Sequence, residues 1–179
     1  MVIFPAVTDL IIGSSSNETN APIAIVTFTI LCDPAPPHLP RPRGNGDHFY
    51  VPYVTREKEA VRSLLRPALQ ELGYDNFPLW GKVEVETNQK CYFQRPPSHV
   101  GSRRGVPYVR ATAPGRPGTK DTDNMLKFWN DAMETVLYKN DRCVKTGSFA
   151  EQYLPLGSPH SYVELTHKIL PPPLWNQMH

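Results

Sequence analysis

The sequence predicts a single α/β (α+β) domain over residues 22–170, a mixed β-sheet packed with two main helices. Three observations predict it. Apolar residues recur at helical spacing in two stretches, 54–73 and from Asp123 onward. Four runs have strand character: IAIVTFTILC (23–32), WGKVEVETNQKCYF (80–93), CVKTGSFAEQYL (143–154) and SYVELTHKIL (161–170). The resulting order is strand, helix, strand, long loop, helix, strand, strand, which suits a mixed sheet with helices laid against it. A chain of 179 residues, 40% hydrophobic and 20% charged, is long enough to bury one core.

Residues 1–21 read as an N-terminal extension that ends in the polar linker SSSNETN. The run 23–32 is β-branched and continuously apolar, so it is expected as a strand buried on both faces. DPAPPHLPRPRGNGDHF then forms a turn-rich loop. In the first helix, Ala60, Val61, Leu64, Leu65, Ala68, Leu69 and Leu72 share one side, with Thr55 as N-cap and Gly73 as terminator. Pro67 should kink or divide it. Residues 80–93 alternate, with Val83, Val85 and Thr87 set against Lys82, Glu84 and Glu86, so this strand should be half exposed. Residues 94–120 are a long loop rich in Pro, Gly and Arg, and 171–179 are a proline-rich tail.

Several classes fall away on composition. Cys32, Cys91 and Cys143 are odd in number, widely spaced and without a Cys-x-x-Cys pair, so neither a zinc site nor a disulfide framework is indicated. That usage suits a reduced, intracellular setting. No apolar run is long enough for a bilayer span, so no membrane is expected as a partner. The start of the chain lacks a basic n-region and is broken by Pro5 and Asp9, unlike a signal peptide.

The chemistry gathers in KDTDNMLKFWNDAMETVLYKND, residues 120–141. Met125, Leu126, Trp129, Ala132, Met133, Val136 and Leu137 give the second helix its apolar face. Asp123, Lys127 and Asp131, at i, i+4 and i+8, stack along another side. Two readings of that side are open. Asp123 can simply cap the helix while Lys127 and Asp131 form a solvated pair. Alternatively, Asp141 returns to the cluster. A helix over 124–135 is ~18 Å long, and an extended 136–141 retraces about 20 Å, which would bring Asp141 beside Asp121 and Asp123. Three converging carboxylates repel one another unless a cation joins them, and an all-oxygen donor set favours Mg²⁺ or Mn²⁺. An EF-hand is excluded, because Met125, Leu126 and Ala132 stand where it needs Asn or Asp, Gly and Glu.

A basic strip leads into this cluster. Residues 88–120 hold Lys90, Arg95, Arg103, Arg104, Arg110, Arg116 and Lys120, with no Asp or Glu. Tyr92, Phe93 and Tyr108 are interleaved with them, and Arg41 and Arg43 lie in the earlier loop. A net charge of +2 conceals this asymmetry. Cations that hold a backbone beside acids that hold a metal suit a phosphodiester substrate.

The string Asp121-Thr-Asp123-Asn124-Met-Leu-Lys127-Phe-Trp-Asn-Asp131-Ala-Met, with Asp141 after a short gap, resembles the RusA family of Holliday-junction resolvases. PRPRG, YVP and the basic loop agree with it, and the resemblance covers roughly 22–170. It implies metal-binding carboxylates at Asp121, Asp123 and Asp141, an essential Lys127, and supporting roles for Asn124 and Asp131. It implies an Mg²⁺-dependent endonuclease, acting as a homodimer on four-way DNA and leaving 5′-phosphates. The chain departs from the family pattern at Asn140, an amide where the pattern has the first member of an acidic pair. Two other classes stay in view: a junction- or RNA-binding module without catalysis, and a metal-dependent nucleotidyl or glycosyl transferase using Asp-x-Asp. The second lacks a glycine-rich phosphate loop here.

Overall fold

Residues 4–12, 22–32, 52–78, 80–117 and 122–171 are described in the computed structural model. Arg41, Arg43, Lys120, Asp121 and most of the proline-rich tail lie outside them. The elements run β1 (Phe4–Ile12), β2 (Ala24–Leu31), α1 (Pro52–Glu71), β3 (Glu84–Phe93), β4 (Val100–Arg103), β5 (Val106–Val109), α2 (Thr122–Met133), β6 (Val144–Tyr153) and β7 (Tyr162–Leu170). Short 3₁₀ turns occupy Pro97–His99 and Asp141–Cys143.

Five strands form one mixed sheet in the order β1-β2-β7-β3-β6. Neighbours are antiparallel except β3 and β6, which run parallel. A parallel pair needs a crossover, and α2 lies within it. The crossover passes over the sheet face that bears Val85, Thr87, Gln89 and Cys91, all buried. Strand β1, within the stretch read as an extension, adds to the sheet beside β2.

One core joins the sheet to both helices. Ala24, Val26, Phe28 and Ile30 of β2 and Val163, Leu165 and Ile169 of β7 meet Val61, Leu65 and Leu69 of α1 and Met125, Phe128, Trp129, Ala132 and Met133 of α2. The burial of β2 alternates along its length, so the expectation of a strand buried on both faces is corrected. Among the described residues, helices cover one side of it. The other side is polar: Thr27 bonds Thr166 (3.2 Å), Tyr92 donates to Glu164 (2.9 Å), and Lys168 pairs with Glu86 (3.1 Å).

Helix α1 begins at Pro52, three residues before the expected cap at Thr55, and contains Pro67 on an exposed position. Gly73, at φ 87°, follows its end in the left-handed region that favours glycine. The expected long loop before α2 holds a separate two-stranded sheet, β4–β5. Arg104 and Gly105, both at positive φ, make its two-residue turn.

Candidate active-site groove

Helix α2 is pinned from three sides. From the sheet, the fully buried Gln89 donates its Nε2 to the carbonyl of Leu126 and to Asn130 Oδ1, both at 3.2 Å. From α1, Lys58, Arg62 and Arg66 project at i, i+4 and i+8 onto the second half of α2 and the turn after it. Lys58 Nζ reaches Asp131 Oδ2 at 2.6 Å. Arg62 donates to the carbonyls of Asp131 (2.6 Å) and Ala132 (3.3 Å), and also bonds Glu59. Arg66 reaches Thr135 Oγ1 at 3.3 Å. The Arg62 guanidinium thus satisfies two carbonyls in the last turn of α2 and places a cation at its negative end.

The third anchor is the segment that follows α2. An extended return over 136–141 was expected; instead the chain turns tightly. Thr135 sits at φ 66°, its N–H donates to the Tyr138 carbonyl (2.8 Å), and Leu137 N–H donates to Met133 O (2.9 Å). Val136, Leu137 and Tyr138 are buried, and that burial holds the turn in place. Tyr138 donates its hydroxyl to the Asn130 carbonyl at 2.9 Å. Burial pushes this phenol far up, and the nearby Asp131, Cys143, Glu134 and Asp141 push it further, so it serves as a neutral donor. Asn140 Oδ1 then accepts from Arg142 N–H at 3.1 Å and caps the 3₁₀ turn that carries Asp141. The amide that departs from the family pattern therefore shapes the backbone beside the carboxylate.

Together these elements form an open groove of about 370 Å³ lined by Thr55, Lys58, Arg62, Lys127, Asp131, Glu134 and Asp141. Three of the residues singled out in sequence line it: Lys127, Asp131 and Asp141. Lys127 and Asp141 are exposed. Asp131 is committed to Lys58, and the side chains of that pair are only 15% and 12% exposed. No salt bridge among the described residues involves Lys127, so the i, i+4 pairing with Asp131 does not form. Lys127 is left to present its ammonium to the groove.

Asp123 is exposed in the first turn of α2 and does not line the groove, and Asn124 beside it is half-buried. Among the described residues no three His, Cys, Asp or Glu side chains could hold a metal ion. The predicted basic residues divide. Arg103, Arg104, Arg110 and Arg116 are exposed. Arg110 Nε donates to Val100 O (3.1 Å), and Arg95 lies over the Tyr153 ring at 4.4 Å. Lys90 alternates with the buried Gln89 and Cys91, so it faces away from the helices and stands 4.0 Å from Glu164. Sequence reasoning gives Lys58, Arg62, Glu134, Gln89 and Tyr138 no part in this groove. The spacing of Lys58, Arg62 and Arg66 along one helix face was the available signal.

The family model described as "Endodeoxyribonuclease RusA" matches residues 32–165, which takes in both helices, the groove, β3, β6 and the first part of β7. No curated protein matches the chain.

Proposed function

This chain belongs to the RusA endodeoxyribonuclease family, and from that premise we propose that it nicks four-way DNA junctions in pairs, with Mg²⁺ as cofactor. The family implies endonuclease action on Holliday junctions. The observation that carries the reading is the groove, where Lys127 and Asp141, both positions of the family motif, stand open to solvent in one cavity.

The donors assigned to the ion are Asp121, Asp123 and Asp141, and Asn124 is assigned the supporting role of fixing a carboxylate's rotamer. Oxygen-only donors suit Mg²⁺, and Mn²⁺ as its substitute. Once bound, the ion would polarise the scissile phosphate and lower the pKa of a water. The chain's own contribution is electrostatic. Lys127 stabilises negative charge that develops on the phosphate oxygens. Lys58 and Arg62 fix the position of Asp131 and the end of α2, so the groove is formed before DNA arrives. The arginines of the 88–117 segment hold the DNA backbone. A homodimer gives the two identical sites that paired nicking of opposing strands requires.

Asp123→Asn tests the assignment. Nicking of a synthetic four-way junction in Mg²⁺ should fall by more than about 100-fold, while gel-shift affinity in EDTA stays within about twofold of wild type. Unchanged nicking would refute it.

A further inference from the structure

We propose that the β4–β5 hairpin is a preformed stacking platform for a DNA base released from pairing, with Tyr108 as the platform and Arg103 and Arg104 beside it on the backbone. The proposal rests on the junction-nuclease reading above and names the element that separates branched from linear DNA.

The register pairs Gly101 with Tyr108 and Arg103 with Val106. Alternation then puts Tyr108, Val106, Gly101 and Arg103 on one face of the hairpin. The Tyr108 ring lies directly across Gly101: a methyl group there would fall 2.5 Å from Cζ. The absence of a side chain at Gly101 is what lets the ring approach the strand this closely. With one side seated on the backbone, Tyr108 is still 48% exposed, and Val106 next to it is 65% exposed. A rigid aromatic with a free face offers base stacking at little entropic cost.

The hairpin is also held in place. Arg110 N–H donates to His99 O at 3.0 Å, and His99 meets the Tyr153 ring edge-on at 5.7 Å. Arg95 covers the same ring and donates to Pro114 O at 3.2 Å. Tyr153 ends β6, whereas Asp141 precedes its start. A ten-residue strand spans roughly 30 Å, so the platform meets DNA away from the groove of its own chain.

Charge selects the occupant. Residues 88–117 carry Lys90, Arg95, Arg103, Arg104, Arg110 and Arg116 and no carboxylate. A second copy docked hairpin to hairpin would set Arg103 and Arg104 against their like. DNA supplies the opposite charge. Within paired DNA the base faces are occupied by stacking neighbours, whereas a branch leaves some of them free.

The test uses the full-length chain in EDTA, with a four-way junction carrying 2-aminopurine beside the branch and a linear duplex of the same sequence. Wild-type protein should quench the probe in the junction. Tyr108→Ala should weaken junction binding about 10-fold, which is in the range of one lost stacking contact, abolish the quench, and leave duplex affinity within about twofold. Tyr108→Phe should behave as wild type. Gly101→Ala, which displaces the ring without deleting it, should fall on the side of Tyr108→Ala. Equal losses on both DNAs, or an intact quench in Tyr108→Ala, would overturn the platform and leave the nuclease reading standing. So would a loss of protein self-association with the junction-to-duplex ratio unchanged. A wild-type protein that does not bind the junction would sink both.

Discussion

His167 shows what a single residue costs and controls. It is fully buried on β7, edge-on to Phe28, and neither ring nitrogen has a partner among the described residues. Burial pushes its pKa from 6.5 down to about 3. The folded state thus holds the neutral ring, and the unfolded chain binds the extra proton. This contribution to stability is complete above about pH 6.5 and is lost as pH falls toward about 3, at up to about 1.4 kcal/mol per pH unit. His167→Leu should remove it: the fall in urea midpoint between pH 6.5 and 4 should be shallower than in wild type, by up to one proton's worth. Parallel slopes would show that the imidazole does not titrate with unfolding.

At the scale of elements, the docking of α1 on α2 positions the groove. Arg62 is central, because a single guanidinium serves two carbonyls of α2. Arg62→Ala leaves both without that donor and should cost about 2 kcal/mol, a drop in Tm of roughly 4–8 °C for a chain of this size. Arg62→Lys should recover less than half, because an ammonium cannot fork between two oxygens. Thermal unfolding of the two variants decides this. The same elements show what the sequence could reveal. Both helices and the four strands from β2 to β7 that lie in the main sheet were legible: the helices and β3 set one apolar face against the core and so leave a period, β2 shows as an apolar run, and β6 and β7 show by strand-forming composition. The hairpin was not: β5 is exposed at every position, and alternation without a buried face gives no signal. Only the Arg104–Gly105 turn between two valine-bearing runs marked it. Asp131 and Lys127 were correctly placed on one side of a helix, but local spacing cannot foresee that Lys58 arrives from another helix to take the carboxylate.

For the whole molecule, the arrangement of the carboxylates bears on how many chains make one site. Leu126 lies near Gly147, the fourth residue of β6, while the turn after α2 bridges to Trp80 ahead of β3. Helix α2 therefore runs against the direction of β3 and β6. Asp123 belongs to the end of α2 remote from that turn, and Asp141 lines the groove with Asp131 and Glu134. In the homodimer proposed above, a site completed within one chain and a site shared between chains make opposite predictions. Mixing inactive Asp123→Asn and Asp141→Asn chains separates them. Sites built within one chain, as proposed, should stay silent, whereas a return of single-strand nicking would place Asp123 and Asp141 of one site in different protomers.

Strands β3 and β6 are adjacent and parallel, and everything joining them is a single excursion. Its later part, from α2 to Asp141, is fastened at Gln89, Arg62, Asn130 and Trp80, so it can gain or lose little without displacing the acids. Its earlier part is tied more lightly: among the described residues, β5 is exposed at every position and is held by β4 and, just past its end, by the Arg110–His99 bond. New sequence can accumulate there at no cost to the chemistry, which makes that span the natural place for related chains to diverge in which DNA shapes they prefer.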